Sequence, residues 1–383
     1  MERPYEDNED ELRRRRRRMR RRQEMRRRRR RRRLIRRTIK IGMAAAVIGI
    51  LLLMIKIIWG KINPDGGMVA GLRQRVTAEA QNALLADSMS NGGAVNPEGD
   101  DQGAGDGSSG VQPDYRYEAT EDTLALGEDI TSTYALFVDT ENDTILASRD
   151  AFSRMVPASM TKVLTALVAA EHVENWDDTF TITIDITDYS YKNRCSNAGF
   201  DRDETVTIRD LMYGTILPSG ADASLGLAIY VAGSQEAFVD LMNQKLEELG
   251  LSKTSHFTNC VGIYEADHYT TAYDMAVMME AAIQNEMCRE VFSTRIYTTS
   301  ATEQHPEGIE LSNWFVRRIE DKETNGIPVY GKTGFVDESG SCAVSFGTNE
   351  NGRTYICVTA NSGSKWWCIN DHAKLYQELT KEP

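Results

Sequence analysis

Pro157-Ala158-Ser159-Met160-Thr161-Lys162 opens an apolar, helix-like run that reaches about residue 173. Ser159 falls at the expected start of that helix, where free backbone N–H groups point outward. Lys162 follows three residues later, so the two side chains rise from one face about a turn apart. A serine beside a lysine supplies a nucleophile and its base without a histidine. The pattern alone is weak, because Ser-x-x-Lys turns up roughly once by chance in a chain of this length. Its bland reading is a helix start followed by a solvated lysine, and two later stretches change the weighting.

The compartment comes from the charge. The 383 residues carry a net −12, but the charge is split along the chain. Residues 1–61 hold 23 Lys and Arg against 7 Asp and Glu, a net of +16, and the rest hold 22 against 50, a net of −28. Residues 13–37 are nearly all arginine, which on its own fits a nucleic-acid contact. An apolar segment follows at once, over 41–59, broken late by Lys56 and closed by Trp59. It is long enough to span a bilayer as a helix, with Lys56 snorkelling and Trp59 at the interface. The positive-inside rule keeps the arginines in the cytoplasm, against anionic headgroups, and sends the remainder outside. The expectation is a single-pass protein of the cell membrane with no nucleic-acid role. No Ala-x-Ala-like cleavage site follows the apolar run, which argues against a removed signal peptide. All six cysteines lie on the outer side. Disulfides are permitted there, six cysteines allow 15 full pairings, and buried free thiols are an equal alternative. With no Cys-x-x-Cys pair and no His-Glu-x-x-His, neither a metal nor another cofactor is expected.

The organisation read from the chain is an Arg-rich cytoplasmic segment (1–40), a transmembrane helix (41–60), a flexible linker (61–123) and a catalytic domain (124–383). The linker has weak amphipathic character over 62–87 and is rich in Gly, Asp, Ser and Asn over 90–113. A coil of about 50 residues reaches roughly 40 Å, enough to hold a domain off the membrane while tethering it. Gly105-Asp106-Gly107-Ser108-Ser109-Gly110 matches a dinucleotide glycine pattern, but no strand precedes it and no helix follows. In the domain, 134–139 and 144–147 read as two strands around a turn. Short strands or extended loops follow at 179–186 and 204–208. Helices are expected over 211–216, 221–232 and 235–249, the last stopped by Gly250, and from a Thr271 cap to about 285. Two strands at 341–348 and 354–360, joined by a hairpin-type turn, precede a closing helix at 372–379. Strands, then helices, then strands again predict an α+β domain: an antiparallel sheet covered by helices, in which the first and last strands meet.

Ser219 lies 60 residues after Ser159 in Leu217-Pro218-Ser219-Gly220, just before a helix, and Lys332-Thr333-Gly334 lies 113 residues further, before or on a strand. Ser-x-x-Lys, Ser-Gly-x and Lys-Thr-Gly in that order form a specific set. With it, residues 124–381 resemble the serine D-Ala-D-Ala carboxypeptidases, the low-molecular-mass penicillin-binding proteins. The resemblance is strengthened by Phe257-Thr258-Asn259 with Gly262, by His268-Tyr269-Thr270-Thr271-Ala272-Tyr273-Asp274, and by Phe335 and Asp337-Glu338-Ser339-Gly340 after the lysine motif. It implies a β-lactamase/DD-peptidase-like fold, an α/β sandwich with a helical subdomain and a cleft between them. The implied substrate is the D-Ala-D-Ala end of a peptidoglycan stem peptide, with β-lactams as inhibitors.

The resemblance also distributes roles. Ser159 would attack the penultimate carbonyl and form an acyl-enzyme, Lys162 would take its proton, and Ser219 would relay a proton to the departing amine. Lys332 and Thr333 suit the free carboxylate of the terminal D-alanine, Gly334 keeps the strand open to ligand, and the N–H groups of Ser159 and Phe335 would form the oxyanion hole. A free lysine is neutral in only about 4 of 10⁴ copies at pH 7. Burial and the charge of Lys332 should therefore lower Lys162 by about three pKa units, roughly 4 kcal/mol.

Two departures from the family pattern stand out. The middle motif usually ends in asparagine, whereas here Ser219-Gly220 is followed by Ala221 and then Asp222, which is turned about 100° away on a helix. The arginine often found past the second strand has no obvious counterpart, Lys365 being the nearest basic residue. A catalytically weakened binding or scaffold protein on this fold is therefore an alternative, and a β-lactamase a lesser one. His268 reads as structural, and Trp366-Trp367 as a packing or rim feature.

Overall fold

The computed structural model describes residues 117–381. The Arg-rich segment, the spanning helix expected at 41–60, the glycine pattern at 105–110 and the linker as far as 116 lie outside the described residues. Among the described residues no helix is long and apolar enough to cross a membrane.

Three strands come first: β1 (Glu118–Ala125), β2 (Tyr134–Asp139) and β3 (Thr144–Arg149). A 3-10 turn, Ala158–Thr161, leads into α1 (Lys162–His172). A helical region follows, with α2 (Ile184–Lys192), α3 (Ile208–Ile216), α4 (Ala221–Ala232), α5 (Gln235–Glu248), α6 (Ala272–Gln284) and α7 (Glu286–Ser293). Two small hairpins interrupt it, β4 (Thr179–Thr181) with β5 (Thr205–Thr207) and β6 (Ile296–Thr298) with β7 (Glu310–Ser312). The chain then forms α8 (Val316–Ile319), β8 (Val329–Val336), β9 (Gly340–Thr348), β10 (Thr354–Ser362) and α9 (Lys365–Leu379).

The main sheet has the order β1-β3-β2-β10-β9-β8. The expected meeting of first and last strands occurs between β2 and β10, with Val138 opposite Ile356. Five of the six strands are antiparallel, as expected. The sixth, β1, runs parallel to β3 and makes the sheet mixed. It also moves the domain start, because residues 118–123, read as the end of the linker, are part of the sheet. Their sequence hid this for a physical reason: nearly every side chain of β1 is exposed, so no apolar alternation marks it. Its edge pairing is made by backbone groups. Tyr117 anchors its start, accepting no solvent: it is buried, its N–H donates to the Tyr273 hydroxyl (3.2 Å) and its own hydroxyl donates to Glu280.

The sheet is buried on both faces, which is why its central strands read as near-continuous apolar runs. Leu136, Val138, Ile356, Val358, Val344 and Phe346 face the helical side, where Met275, Met278 and Met279 of α6 belong to the same core. Ala135, Phe137, Tyr355, Cys357 and Ala343 face the other side and pack with Phe315 just before α8, Ile319 of α8, and Ile369, Leu375 and Tyr376 of α9. His372 ties α9 down through Ser345 Oγ (2.7 Å) and Thr359 Oγ1 (2.9 Å). All six cysteines are free thiols, five of them buried.

Helix boundaries followed local chemistry where the signal was strong. Thr271 caps α6 by accepting from Asp274 N–H (3.0 Å), and Gly250 takes a left-handed φ of +74° just past α5. The stretch 179–186 misled because its Thr and Ile residues favour a strand. The strand ends at Thr181, and Ile184 begins α2 with its side chain exposed. The short elements α7, α8, β6 and β7 carried no pattern long enough to read.

Candidate active site

Ser159 sits in the 3-10 turn rather than in the first α-helical turn, and α1 starts at Lys162. The residue before it, Ala158, holds a left-handed φ of +47°, a strained value for a residue with a side chain. What holds it there is the turn over 259–263. Asn259 Oδ1 accepts from Val261 N–H (3.3 Å), Gly262 N–H (2.7 Å) and Ile263 N–H (3.1 Å). Gly262 (φ +82°) lies so close over Ala158 that a Cβ there would fall 1.9 Å from the Ala158 carbonyl oxygen. The same turn aims the Val261 carbonyl at Lys162 Nζ, which donates to it (2.5 Å) and to Ser159 Oγ (3.3 Å). His268 locks the turn to the nucleophile segment. The Thr258 N–H donates to its Nδ1 (3.1 Å), which leaves the Nε2 proton for Thr161 Oγ1 (2.7 Å). Burial lowers His268 to about 3, so it stays neutral, and its role is structural as expected.

Ser219 is also held at a left-handed φ, +64°, at the end of α3. Gly220 N–H donates to Gly214 O (2.8 Å), and a Cβ on Gly220 would lie within 2.8 Å of Asp222 Oδ1, Ala198 N and Gly214 O. The turn therefore requires glycine. Lys332, on β8, is buried and donates from Nζ to Ser219 Oγ (2.8 Å) and to Thr333 O (2.8 Å). Gly334 lets β8 approach the nucleophile, since its Cβ would sit 3.0 Å from both Ser159 N and Pro157 O. Ser159, Lys162, Ser219, Thr333, Gly334 and Phe335 line one cleft of about 530 Å³, and Lys332 reaches it through Ser219. The structure thus brings every predicted site residue together.

A family model for D-alanyl-D-alanine carboxypeptidases matches residues 119–363, well over half of the chain. The chain belongs to the D-alanyl-D-alanine carboxypeptidase family. It is 28% identical over 237 residues to the D-alanyl-D-alanine carboxypeptidase DacF of Bacillus subtilis, covering 60% of this chain and 58% of that one. It is 32% identical over 234 residues to the D-alanyl-D-alanine carboxypeptidase of a Streptomyces species, strain K15, covering 58% and 77%. The chain thus spans less than two thirds of the Bacillus relative's length. Among solved structures, the DD-transpeptidase of Streptomyces K15 superposes with a TM-score of 0.57 at 28% identity, over 65% of this chain and 97% of that one. Penicillin-binding protein 5 of Haemophilus influenzae gives 0.58 at 26% identity, over 65% and 70%. These likenesses agree with the α+β sandwich expected from the motifs.

Both lysines of the cleft are displaced from their ordinary values. Burial lowers Lys162 to about 8. Lys332 is pushed well below its ordinary value by burial first and by the Lys162 ammonium next. The expected mutual repulsion is therefore borne mainly by Lys332. At a pKa of about 8, roughly one Lys162 in ten is neutral at pH 7, against about 4 in 10⁴ for a free lysine. If neutral Lys162 is the base, the second-order acylation rate should rise nearly tenfold per pH unit below about 8 and level off above it. Stopped-flow acylation by a penicillin between pH 5.5 and 9.5 checks this, and a flat profile would remove Lys162 from that role.

The departures from the family pattern also resolve. Ala221 is fully buried, and its N–H donates to Ser196 O (2.8 Å). Asp222 does not stand in for asparagine. Its carboxylate turns away to accept from Ala198 N–H (2.8 Å), Gly199 N–H (3.0 Å), Phe200 N–H (3.3 Å) and Ala223 N–H (2.9 Å). Burial raises its pKa against the pull of those four groups. Its work is to hold the loop whose residues Asn193, Arg194, Cys195 and Ser196 line the cleft. Lys365 also lines the cleft, and Trp366 and Trp367 next to it in the chain are exposed. Sequence reading missed Val261, the Cys195–Ser196 segment, Trp314 and Arg318. Only Val261 had a signal, through the flanking Asn259 and Gly262.

Proposed function

We propose that this chain is a serine-type D-Ala-D-Ala carboxypeptidase that removes the terminal D-alanine of peptidoglycan stem peptides. The observation that carries it is the convergence of Ser159, Lys162, Ser219 and Lys332 in one cleft, with Lys162 Nζ 3.3 Å from Ser159 Oγ. Ser159 Oγ attacks the carbonyl of the penultimate D-alanine while neutral Lys162 accepts its proton. The oxyanion forms against the N–H groups of Ser159 and Phe335, which the side-chain-free Gly334 lets approach. Ser219, bonded to Lys332, passes a proton to the departing amine, and D-alanine leaves. Water then hydrolyses the acyl-enzyme through the same base. A β-lactam enters by the first half of this route. Two further parts of the reading concern residues 1–116. The apolar stretch at 41–60 anchors the chain in the cell membrane with the arginines in the cytoplasm, and the following linker holds the catalytic domain outside, near its polymeric substrate.

A second reading has its own support. Ala221 places no polar side chain where a substrate amide needs one, and Asp222 is engaged elsewhere, which favours a penicillin-binding protein with weak turnover. One experiment separates the two. The full chain is incubated with a diacyl-L-Lys-D-Ala-D-Ala peptide and, separately, with a fluorescent penicillin. D-Alanine release is followed, and the penicilloyl adduct is located by peptide mass mapping. Release together with an adduct on Ser159 is the expected result. An adduct without release would favour the weak-turnover protein, and rapid penicillin hydrolysis would favour a β-lactamase. No adduct would sink both penicillin-binding readings.

A further inference from the structure

A second pocket, of about 270 Å³, continues from the cleft along two chain segments. Ile263 lines the cleft and Tyr264 the pocket, and Val336 lines the cleft and Glu338 the pocket. Its size, just below the roughly 300 Å³ at which small-molecule sites begin, suits the end of a side chain rather than a whole ligand. Tyr134, Tyr264 and Tyr269 form part of its walls, and its charged side chains are one of each sign, Arg154 and Glu338. Both are exposed, and among the described residues neither has an ion-pair partner.

The two charges stand on fixed backbone. Met155 N–H donates to Thr270 O (2.7 Å) and Thr270 N–H returns a bond to Met155 O (3.0 Å), which holds Arg154 beside Tyr269. The guanidinium carbon lies 3.3 Å from the centre of the Tyr269 ring. Stacking on that face leaves its in-plane N–H groups for a carboxylate. Glu338 lies in the turn between β8 and β9. Ser339 Oγ closes this turn, accepting from Val336 N–H (3.1 Å) and donating to Gly340 O (2.8 Å).

In the carboxypeptidase reading, the terminal carboxylate of the substrate lies at Lys332 and Thr333 and the scissile carbonyl at the Phe335 N–H. The acyl part of the peptide must therefore continue along β8 toward residue 338. β8 is an edge strand of the sheet, so one side of it is open to an extended peptide. Glu338 is three residues past Phe335, no more than about 10 Å away at roughly 3.3 Å per residue. The side-chain end of the residue before D-Ala-D-Ala lies about as far from the scissile carbonyl, across about 3.8 Å of backbone and roughly 6 Å of a four-carbon side chain.

We propose that this pocket receives the side chain of the residue before D-Ala-D-Ala and selects one that ends in both an amine and a carboxylate. The proposal rests on the carboxypeptidase reading and adds to it the choice of stem peptide. Glu338 takes the ammonium and Arg154 the carboxylate. A side chain ending in an ammonium alone, as in lysine, meets Glu338 but is opposed by Arg154. Opposition of this kind discriminates between ligands as effectively as attraction does.

The test uses the full chain and three acetylated tripeptides ending in D-Ala-D-Ala. Their first residue is Nε-acetyl-lysine, with an uncharged end, lysine, ending in an ammonium, or 2,6-diaminopimelic acid, ending in both groups. Wild type is expected to release D-alanine from the diaminopimelyl peptide with a kcat/KM about tenfold above that of the uncharged one, and the lysyl peptide should stay within about threefold of the latter. Arg154→Gln should remove most of the diaminopimelyl advantage and raise the lysyl peptide by about threefold, since an opposing charge is gone. Glu338→Gln should lower both amine-bearing peptides by about threefold to tenfold. The uncharged peptide should change by less than about twofold in either variant, which reports that each is folded and competent at Ser159. Equal kcat/KM for the three peptides in wild type, or a preference that survives both substitutions, would overturn the inference and leave the carboxypeptidase reading intact. Equal losses on all three peptides would make the two residues merely structural and overturn it as well. If no peptide releases D-alanine while Ser159 still takes a fluorescent penicillin, protection against that labelling by the three peptides reads the pocket instead, and equal protection would overturn the inference. With neither release nor labelling, the carboxypeptidase reading fails and this inference with it.

Discussion

Ser159→Ala is expected to abolish penicillin acylation, because it removes the oxygen that is acylated, and Lys162→Gln is expected to reduce it by about 10⁴-fold. The reason is that the two side chains act as one device. Lys162 Nζ contacts Ser159 Oγ at 3.3 Å, and its other contact, the Val261 carbonyl at 2.5 Å, only positions it. Without the lysine, the serine hydroxyl has no group of suitable pKa to take its proton. Without the serine, the lysine has nothing to deprotonate. Acylation of Lys162→Gln within about tenfold of wild type would mean that Lys162 is not the base for Ser159. Glutamine suits the test because it fills most of the lysine's volume and can still donate to the Val261 carbonyl. Thermal unfolding of each variant shows whether lost acylation is chemical or structural. In this buried site, removing the ammonium should not cost stability, since burial already disfavours its charge.

The second large effect falls on the fold rather than the chemistry. Asp222→Ala should destabilise the domain by about 3–5 kcal/mol, because the backbone N–H groups of Ala198, Gly199 and Phe200 lose their acceptor. Each unsatisfied buried donor costs about 1–3 kcal/mol, and partial relaxation keeps the sum below simple addition. For a domain of this size the melting temperature should fall by roughly 10 °C or more. Asp222→Asn retains one acceptor oxygen and should lose less. Acylation should weaken as well, since the loop at 193–196 forms one wall of the cleft. If Asp222→Ala melts like wild type but acylates poorly, the side chain acts in catalysis after all, as a partial replacement for the missing asparagine. Differential scanning calorimetry beside penicillin labelling separates the two.

Much of the site was legible in the sequence because its chemistry depends on local spacing. Ser159 and Lys162 are a turn apart whatever surrounds them. The sequence places Lys332-Thr333-Gly334 before or on a strand, while Asn259 and Gly262 enter only through the family resemblance, and the turn they build shows in the structure. The sheet core was legible for the same kind of reason. Strands buried on both faces have to be apolar throughout, and β2, β9 and β10 are. Elements without a periodic apolar face were not legible. β1 pairs through its backbone and exposes its side chains, so its sequence looks like linker. α8 is a single short turn.

By itself, then, the sequence determined the reacting groups, the order of the three motifs and the sandwich that carries them. It could not determine what Asp222 and Arg318 face. Asp222 stands one residue from the position where the family usually has asparagine, and only the folded loop over 198–200 shows its carboxylate spent on backbone donors. Arg318 precedes Lys332 by 14 residues with no motif around it. The packing of α8 between β8 and α9 carries it to the cleft, where no carboxylate of the described residues pairs with it. Spacing along a chain fixes which side chains share a turn of helix or a face of strand. Which distant charges meet in a cleft, and which remain unneutralised there, depends on how the elements pack, and that was decided only in the tertiary structure.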